Sequence, residues 1–263
     1  MIYLFFLILM LILAFSLRYN WWRKPQSYAK TRVLMYHSIS EHKGEKFDKW
    51  RVKPSEFEKQ ISYLAKNGFT SFTLSELVDL KEIPQKSVCI TFDDGFGDNF
   101  TNAYEILKKY KFKATIFLVA GAKENSWEAG NTEYLSEMLS DDEISVMQTS
   151  NLIEFGSHTL NHANLERLFA NDPAKARDEI VHSKKELEKI TGRECKVFAY
   201  PYGKFSDEIL SLTRNSGYCA AVVVKRGLYE AGDDKFAIKR IGILGTESFF
   251  DFWLKLTRIR NKL

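Results

Sequence analysis

Ser87-Val88-Cys89-Ile90-Thr91-Phe92-Asp93-Asp94-Gly95 runs from an apolar, β-branched and aromatic segment straight into two carboxylates and a glycine. Six such residues in a row read as a buried strand, and Asp-Gly marks the turn that ends it. Working outward, runs of the same kind recur at Arg32–Tyr36, Lys113–Val119, Leu152–Phe155, Lys196–Tyr200 and Tyr218–Val224. Helical segments lie between them. Ser55-Glu56-Phe57-Glu58 is a capping-box pattern, followed by Ile61 and Leu64 on one face and Gly68 as a stop. Thr73–Glu76 and Ser140–Glu143 repeat the box, and Asp172-Pro173 opens a long helix. Its apolar stripe is Ala176, Ile180, Leu187 and Ile190, and it ends near Gly192. Strand–helix alternation predicts an α/β fold of parallel strands with helices outside, as an open sheet or a barrel. In either form functional groups gather at the carboxyl ends of strands. Asp93, Asp94, His158 and the turn Pro201-Tyr202-Gly203 all fall at such ends.

Adjacent aspartates after a strand can be a turn and nothing more. Successive residues also point different ways, so one carboxylate can hold a metal while the other faces the water to be activated. His158-Thr159-Leu160-Asn161-His162 follows another apolar run. Four-residue spacing puts both imidazoles on one face if the segment is helical. Two imidazoles and one carboxylate suit Zn²⁺, and also Fe²⁺, Co²⁺ or Ni²⁺, with positions left for water and substrate. The combination predicts a metal-dependent hydrolase.

Thr91-Phe92-Asp93-Asp94-Gly95, His158-Thr159-Leu160-Asn161-His162 and Phe198-Ala199-Tyr200-Pro201-Tyr202-Gly203 resemble the first three motifs of the NodB-homology polysaccharide deacetylases, carbohydrate esterase family 4. The resemblance extends over residues 86–243. It implies a distorted (β/α) barrel that removes N-acetyl groups from amino sugars such as N-acetylglucosamine. It implies Asp93 as general base and Asp94, His158 and His162 as ligands of a divalent metal ion. With it comes an oxyanion contact from the Tyr202 backbone N–H in the Pro201 turn. Val33-Leu34-Met35-Tyr36-His37-Ser38 resembles the branch that includes poly-N-acetylglucosamine deacetylases. Two departures stand out. Many members orient the base with an arginine where this chain has Ala199, and supply a late histidine as general acid, whereas no histidine follows His182. His37 is the candidate replacement acid, against a structural strand-end histidine. Arg240 is the candidate cation beside Asp93, against a surface salt bridge.

The chain has 263 residues, is 45% hydrophobic and 27% charged, and carries a formal net charge of +4. That is ordinary globular composition, with no disordered or nucleic-acid-binding character. Three cysteines make no disulfide framework. Residues 1–17 are almost wholly apolar, followed by Tyr19, Trp21 and Trp22 with Arg18, Arg23 and Lys24. This predicts a single-pass N-terminal transmembrane anchor, a juxtamembrane linker over 18–31 and a catalytic domain over 32–263. The charge pattern places that domain on the cytoplasmic side, whereas the family branch favours the outside. The expected substrate is an amino-sugar glycan. The alternatives are an undecaprenyl-phosphate-linked or lipid A-type amino sugar, deacetylated or deformylated at the membrane, and an inactive protein that only binds glycan. Residues 249–256 are apolar and aromatic, turning basic through Arg258, Arg260 and Lys262. They read as a closing helix packed on the barrel, or as an in-plane membrane contact. Asn99-Phe100-Thr101 is a glycosylation sequon inside a predicted helix and is discounted. His42 and His182 are expected in solvent without a role. No dinucleotide fingerprint or P-loop is present, and nothing points to an oligomeric state.

Overall fold

β1 (Arg32–Tyr36) and β3 (Ser87–Phe92) are buried at every residue. A strand covered on both faces has no room for alternation, which is why both read as continuous apolar runs. The computed structural model describes residues 1–128 and 136–260. In chain order the elements are α1 (Ile2–Arg18), β1, α2 (Pro54–Lys66), β2 (Thr70–Phe72), α3 (Leu74–Asp79), β3, α4 (Glu105–Tyr110), β4 (Ala114–Leu118) and α5 (Asp141–Thr149). There follow β5 (Ile153–Ser157), α6 (Leu165–Asn171), α7 (Pro173–Thr191), β6 (Val197–Ala199), α8 (Asp207–Asn215), β7 (Ala220–Arg226), β8 (Ile238–Gly242) and α9 (Phe249–Arg258).

Among the described residues all strand pairings are parallel, in the order β1-β8-β7-β6-β5-β4-β3-β2, and β1 also pairs with β3. The extra pairing closes a barrel of seven strands. β2 stays outside it, pairing with residues 87–89 of β3 while β4 pairs with residues 90–92. The barrel is distorted between β5 and β6, which meet at a single residue pair, Ser157 with Phe198. One apolar cluster fills the barrel, with Val33, Cys89, Phe117, Val197 and Val222 packed against Leu74 and Leu77 of α3. Gly156 has no Cβ because one would lie 2.7 Å from the Phe117 ring. A larger cluster packs the outer strand faces against the helices.

Two capping boxes stand where the sequence places them, at Thr73 and Ser140. Asp172 caps α7, and Gly192 ends it in a left-handed conformation. The box at Ser55 does not form: α2 starts two residues earlier, with Pro54 in its first turn and Lys53 as an N-cap without a side-chain bond. A proline there already suits the helix start, since its missing N–H would be unpaired in any case.

The transmembrane expectation is overturned. No helix among the described residues is long and apolar enough to cross a membrane. α1 is 17 residues and ends on Arg18; at about 1.5 Å per residue it covers roughly 26 Å of a hydrocarbon core about 30 Å thick. The anchor over 1–17, and the membrane localisation inferred from it, fall with that finding. Trp21 and Trp22, which follow the apolar stretch, turn back onto the helix: Trp21 Nε1 donates to Ser16 Oγ and Trp22 Nε1 to the Ser16 carbonyl. Phe15 and Tyr19 pack on Phe250 of α9.

The segment over 18–31 is tied to the barrel by Arg32. This fully buried guanidinium has no carboxylate partner among the described residues and donates to the carbonyls of Leu256, Ser27, Lys30 and Gln26. Tyr28 lies under it, 4.5 Å from guanidinium carbon to ring centroid. One side chain thereby joins the start of β1 to the end of α9. Arg32→Met is expected to lower unfolding stability by at least about 2 kcal/mol, because several buried carbonyls lose their donor at once. Chemical denaturation checks this, and a loss below about 0.5 kcal/mol would show that water replaces the guanidinium at no penalty. α9 packs Phe252, Leu254 and Leu256 inward and meets α2 through Tyr63, which makes it the closing helix. Arg260 is exposed, and Lys262 lies outside the described residues.

Candidate metal centre and its cavity

Three strand ends supply the site. Asp93 and Asp94 follow β3, His158 follows β5, and Pro201–Gly203 form a short turn after β6. Asp94, His158 and His162 are buried and bring one ligand atom each to within 4.8 Å of one another. Asp94 Oδ1 stands 3.5 Å from His158 Nε2 and 3.4 Å from His162 Nε2. The histidine pair is not helical. Residues 158–162 form a loop in which Thr159 and His162 adopt positive φ, 67° and 54°, and Asp94 does so at 76°. Left-handed backbone costs a non-glycine residue about 1–2 kcal/mol, so the loop persists because its surroundings hold it.

The donor chemistry fits a divalent ion. His158 Nδ1 lies 2.8 Å from the Ala199 carbonyl. A carbonyl only accepts, which puts the proton on Nδ1 and leaves the Nε2 lone pair facing Asp94 and His162. The same bond bridges the weak β5–β6 seam. Burial pushes the His158 pKa down to about 4, against the pull of Asp93 and Asp94, so the ring is neutral at neutral pH. His162 Nδ1 meets the Tyr202 hydroxyl at 3.1 Å, and Trp127 stacks on its ring at 4.4 Å. Burial works to raise the Asp94 pKa, but the imidazoles of His162, His37 and His158 outweigh it and hold the carboxyl below its usual range.

Asp93 points elsewhere. Arg240 of β8 grips it with two bonds, Nη1 to Oδ1 at 2.6 Å and Nη2 to Oδ2 at 2.7 Å. Arg240 is fully buried and also donates to Thr91 Oγ1 and the Val223 carbonyl. The surface salt bridge weighed from sequence is therefore excluded. Burial alone would raise the Asp93 pKa; the guanidinium more than reverses it and holds the group well below the ordinary carboxylate range.

His37 lines the same cavity, tilted against Trp50 with ring centroids 4.6 Å apart, with its Nδ1 buried and without a hydrogen-bond partner among the described residues. Burial lowers its pKa despite Asp94 and Asp93 nearby. Tyr202 sits in its turn with φ 59° and a half-exposed ring, beside the buried Pro201. Asn99 is fully buried and donates to the His37 carbonyl, so the sequon is closed to modification. His42 and His182 are exposed.

The cavity holds about 310 Å³ and is walled by Met35, Phe47, Trp50, Phe96, Trp127 and Val224 around the polar groups. Sequence reasoning missed every one of these walls. They come from separate loops and strand ends, and no local pattern marks them. A larger cavity of about 800 Å³ borders Asp94 but contains none of the other polar site residues.

Phe47 and Trp50 ride on a loop organised by Asp48, whose carboxylate accepts from the backbone N–H groups of Lys43, Gly44 and Glu45 and from Arg51. Burial opposes ionisation, yet these donors carry the Asp48 pKa down to about 2. A depressed carboxyl stabilises the fold fully above its unfolded value near 4 and loses that contribution as pH falls through about 2. Asp48→Asn is accordingly expected to unfold more readily than wild type at pH 6, with the gap narrowing on acidification. Unfolding midpoints measured across that range check it; a gap independent of pH would refute the ionic origin.

A model of the family described as polysaccharide deacetylase matches residues 81–221. A Bacillus subtilis protein named as a polysaccharide deacetylase, YxkH, is 31% identical over 226 residues, covering 84% of this chain and 74% of its own. The poly-β-1,6-N-acetyl-D-glucosamine N-deacetylase of Staphylococcus aureus is 31% identical over 213 residues, 78% of this chain and 69% of that protein. The crystal structure of a polysaccharide deacetylase from Bacillus cereus superposes with a TM-score of 0.73 at 30% identity, covering 88% of this chain and 69% of that one. Its barrel, its motifs and these relatives agree: this chain belongs to the polysaccharide deacetylase family, the NodB-homology group of carbohydrate esterase family 4.

Proposed function

We propose that residues 32–263 form a catalytic domain that removes N-acetyl groups from a polymer of N-acetylglucosamine, using Asp93 as base and a divalent ion, Zn²⁺ first among the candidates. The observation that carries this reading is the division of labour between adjacent carboxylates. Asp94 faces two imidazoles, whereas Asp93 is turned onto a buried guanidinium in the same aromatic-walled cavity.

Asp94, His158 and His162 would hold such an ion, whose positive charge would acidify the hydrolytic water and polarise the amide carbonyl. Arg240 keeps Asp93 ionised and fixed in orientation. A carboxylate held this low is a weak base, and its role is to take one proton from the attacking water. The Tyr202 backbone N–H, in its turn beside Pro201, faces the oxygen that gains charge as water adds to the carbonyl carbon. As the C–N bond breaks, His37 relays a proton to the leaving amine, and acetate and a free amino sugar result. Phe47, Trp50 and Trp127 offer flat apolar surfaces to the sugar ring. The relative that acts on poly-β-1,6-N-acetyl-D-glucosamine supports this substrate class.

The test is acetate release by the full chain from a β-1,6-linked N-acetylglucosamine oligomer and from a lipid-linked N-acetyl amino sugar, each with and without chelator. Release from the oligomer that stops with chelator is expected. Release from the lipid-linked sugar alone would overturn the polymer reading, and release that persists after complete metal removal would overturn the metal reading.

A further inference from the structure

Glu179 lies on α7, outside the barrel, and its carboxylate accepts three hydrogen bonds from the loop that carries the two histidines. Oε2 takes the backbone N–H groups of Leu160 at 3.0 Å and Asn161 at 2.9 Å, and Oε1 takes Asn161 Nδ2 at 2.7 Å. These two amides sit between the left-handed residues Thr159 and His162. Other contacts hold the amino-terminal half of the loop. Ala120 N–H donates to the Thr159 carbonyl and Gly121 N–H to the Leu160 carbonyl. Gly121 has to be glycine, since a Cβ there would stand 2.7 Å from that carbonyl oxygen. Ser157 Oγ, which accepts from Thr159 N–H, bonds in turn to Ser183 of α7.

We propose that Glu179 is a positioning residue for the metal site: by clamping Leu160 and Asn161 it holds the strained turn that aims His162 at Asp94 and His158. This rests on the metal reading above. Glu179 is only partly buried and Asn161 is exposed, so water can replace the carboxylate as an acceptor at little loss of stability. Water has no fixed place, however, and cannot hold two backbone N–H groups at a set angle. Loss of the carboxylate therefore widens the range of His162 orientations while leaving the barrel intact. Outer partners of this kind change metal affinity by about 10–100-fold.

The experiment measures Zn²⁺ affinity by competition with a chromophoric chelator in full-length wild type, Glu179→Ala, Glu179→Gln and Glu186→Ala. The last removes a half-exposed carboxylate from the same helix. Unfolding midpoints of the metal-free proteins and amide hydrogen exchange at Leu160 and Asn161 accompany it. Glu179→Ala is expected to weaken Zn²⁺ binding about 10–100-fold, with faster exchange at both amides and a metal-free midpoint near wild type. Glu179→Gln is expected to rescue most of the affinity, because its carbonyl oxygen still accepts from both N–H groups and the Asn161 carboxamide can rotate to meet its NH₂. Wild-type affinity in Glu179→Ala, or an equal loss in Glu186→Ala, would overturn the proposal. Failure of wild type to bind Zn²⁺ at all would instead overturn the metal reading, and this inference with it.

Discussion

Asp93→Asn is expected to lower kcat by about 10²–10⁴-fold, the usual contribution of a positioned general base. The carboxamide nearly matches the carboxylate in shape and still offers Arg240 one oxygen, but it cannot take a proton from water. Divalent-ion affinity should stay close to wild type, because Asp93 is turned to Arg240 while Asp94 faces the histidines. Steady-state kinetics and metal titration on the same preparation check both halves. A variant that keeps more than about a tenth of wild-type kcat would remove Asp93 from the role of base. One that loses the metal instead would make it a ligand.

Arg240→Met is expected to lower unfolding stability by about 3–5 kcal/mol, the range for breaking a buried ion pair from one side. The guanidinium is fully buried and the Asp93 side chain is 4% exposed, so the carboxylate would remain in a dry site without its counterion. Turnover should fall with it, because the base loses both its orientation and its reason to stay ionised. The sign of the pH effect follows. Arg240 depresses the Asp93 pKa, so its stabilisation is complete above the unfolded value near 4 and is lost as pH falls through the folded value. The gap between wild type and Arg240→Met should therefore close on acidification. The double variant Asp93→Asn/Arg240→Met, which removes both charges, should recover part of the loss. Denaturant titrations of wild type and the two variants test this. A single-variant loss under about 1 kcal/mol would mean the pair is not desolvated.

Strand and helix positions were legible where burial is two-sided or a cap is local. β1 and β3 match their apolar runs residue for residue, and Thr73, Ser140 and Asp172 cap the helices they were expected to cap. β8 escaped notice. Ile238-Lys239-Arg240-Ile241-Gly242 carries two charges in five residues and does not read as a buried strand. The pattern failed there because Arg240 turns its charge inward, onto Asp93. β2, three residues long and mostly part-exposed, gives too short a signal to read.

α1 shows the opposite failure. Its composition reads as a membrane span, but the helix is 17 residues long with a terminal arginine, and its tryptophans fold back onto Ser16. Length and hydropathy near a threshold do not decide where a segment goes; what the following residues pack against does.

The sequence by itself determined the strand–helix alternation, the carboxylates at the end of β3, and the pair of histidines after β5. Each lies within a few residues of chain, where periodicity and backbone geometry act directly. Arg240 could be named from sequence as a candidate cation for Asp93, but tertiary structure alone decided between that role and a surface salt bridge, since Arg240 lies 147 residues away and reaches Asp93 only when the barrel closes. The same holds for the Ala199 carbonyl that sets the His158 tautomer, for Glu179 under the histidine loop, and for the aromatic walls of the cavity. Contacts between distant residues carry no local periodicity, and closure of the barrel chooses them.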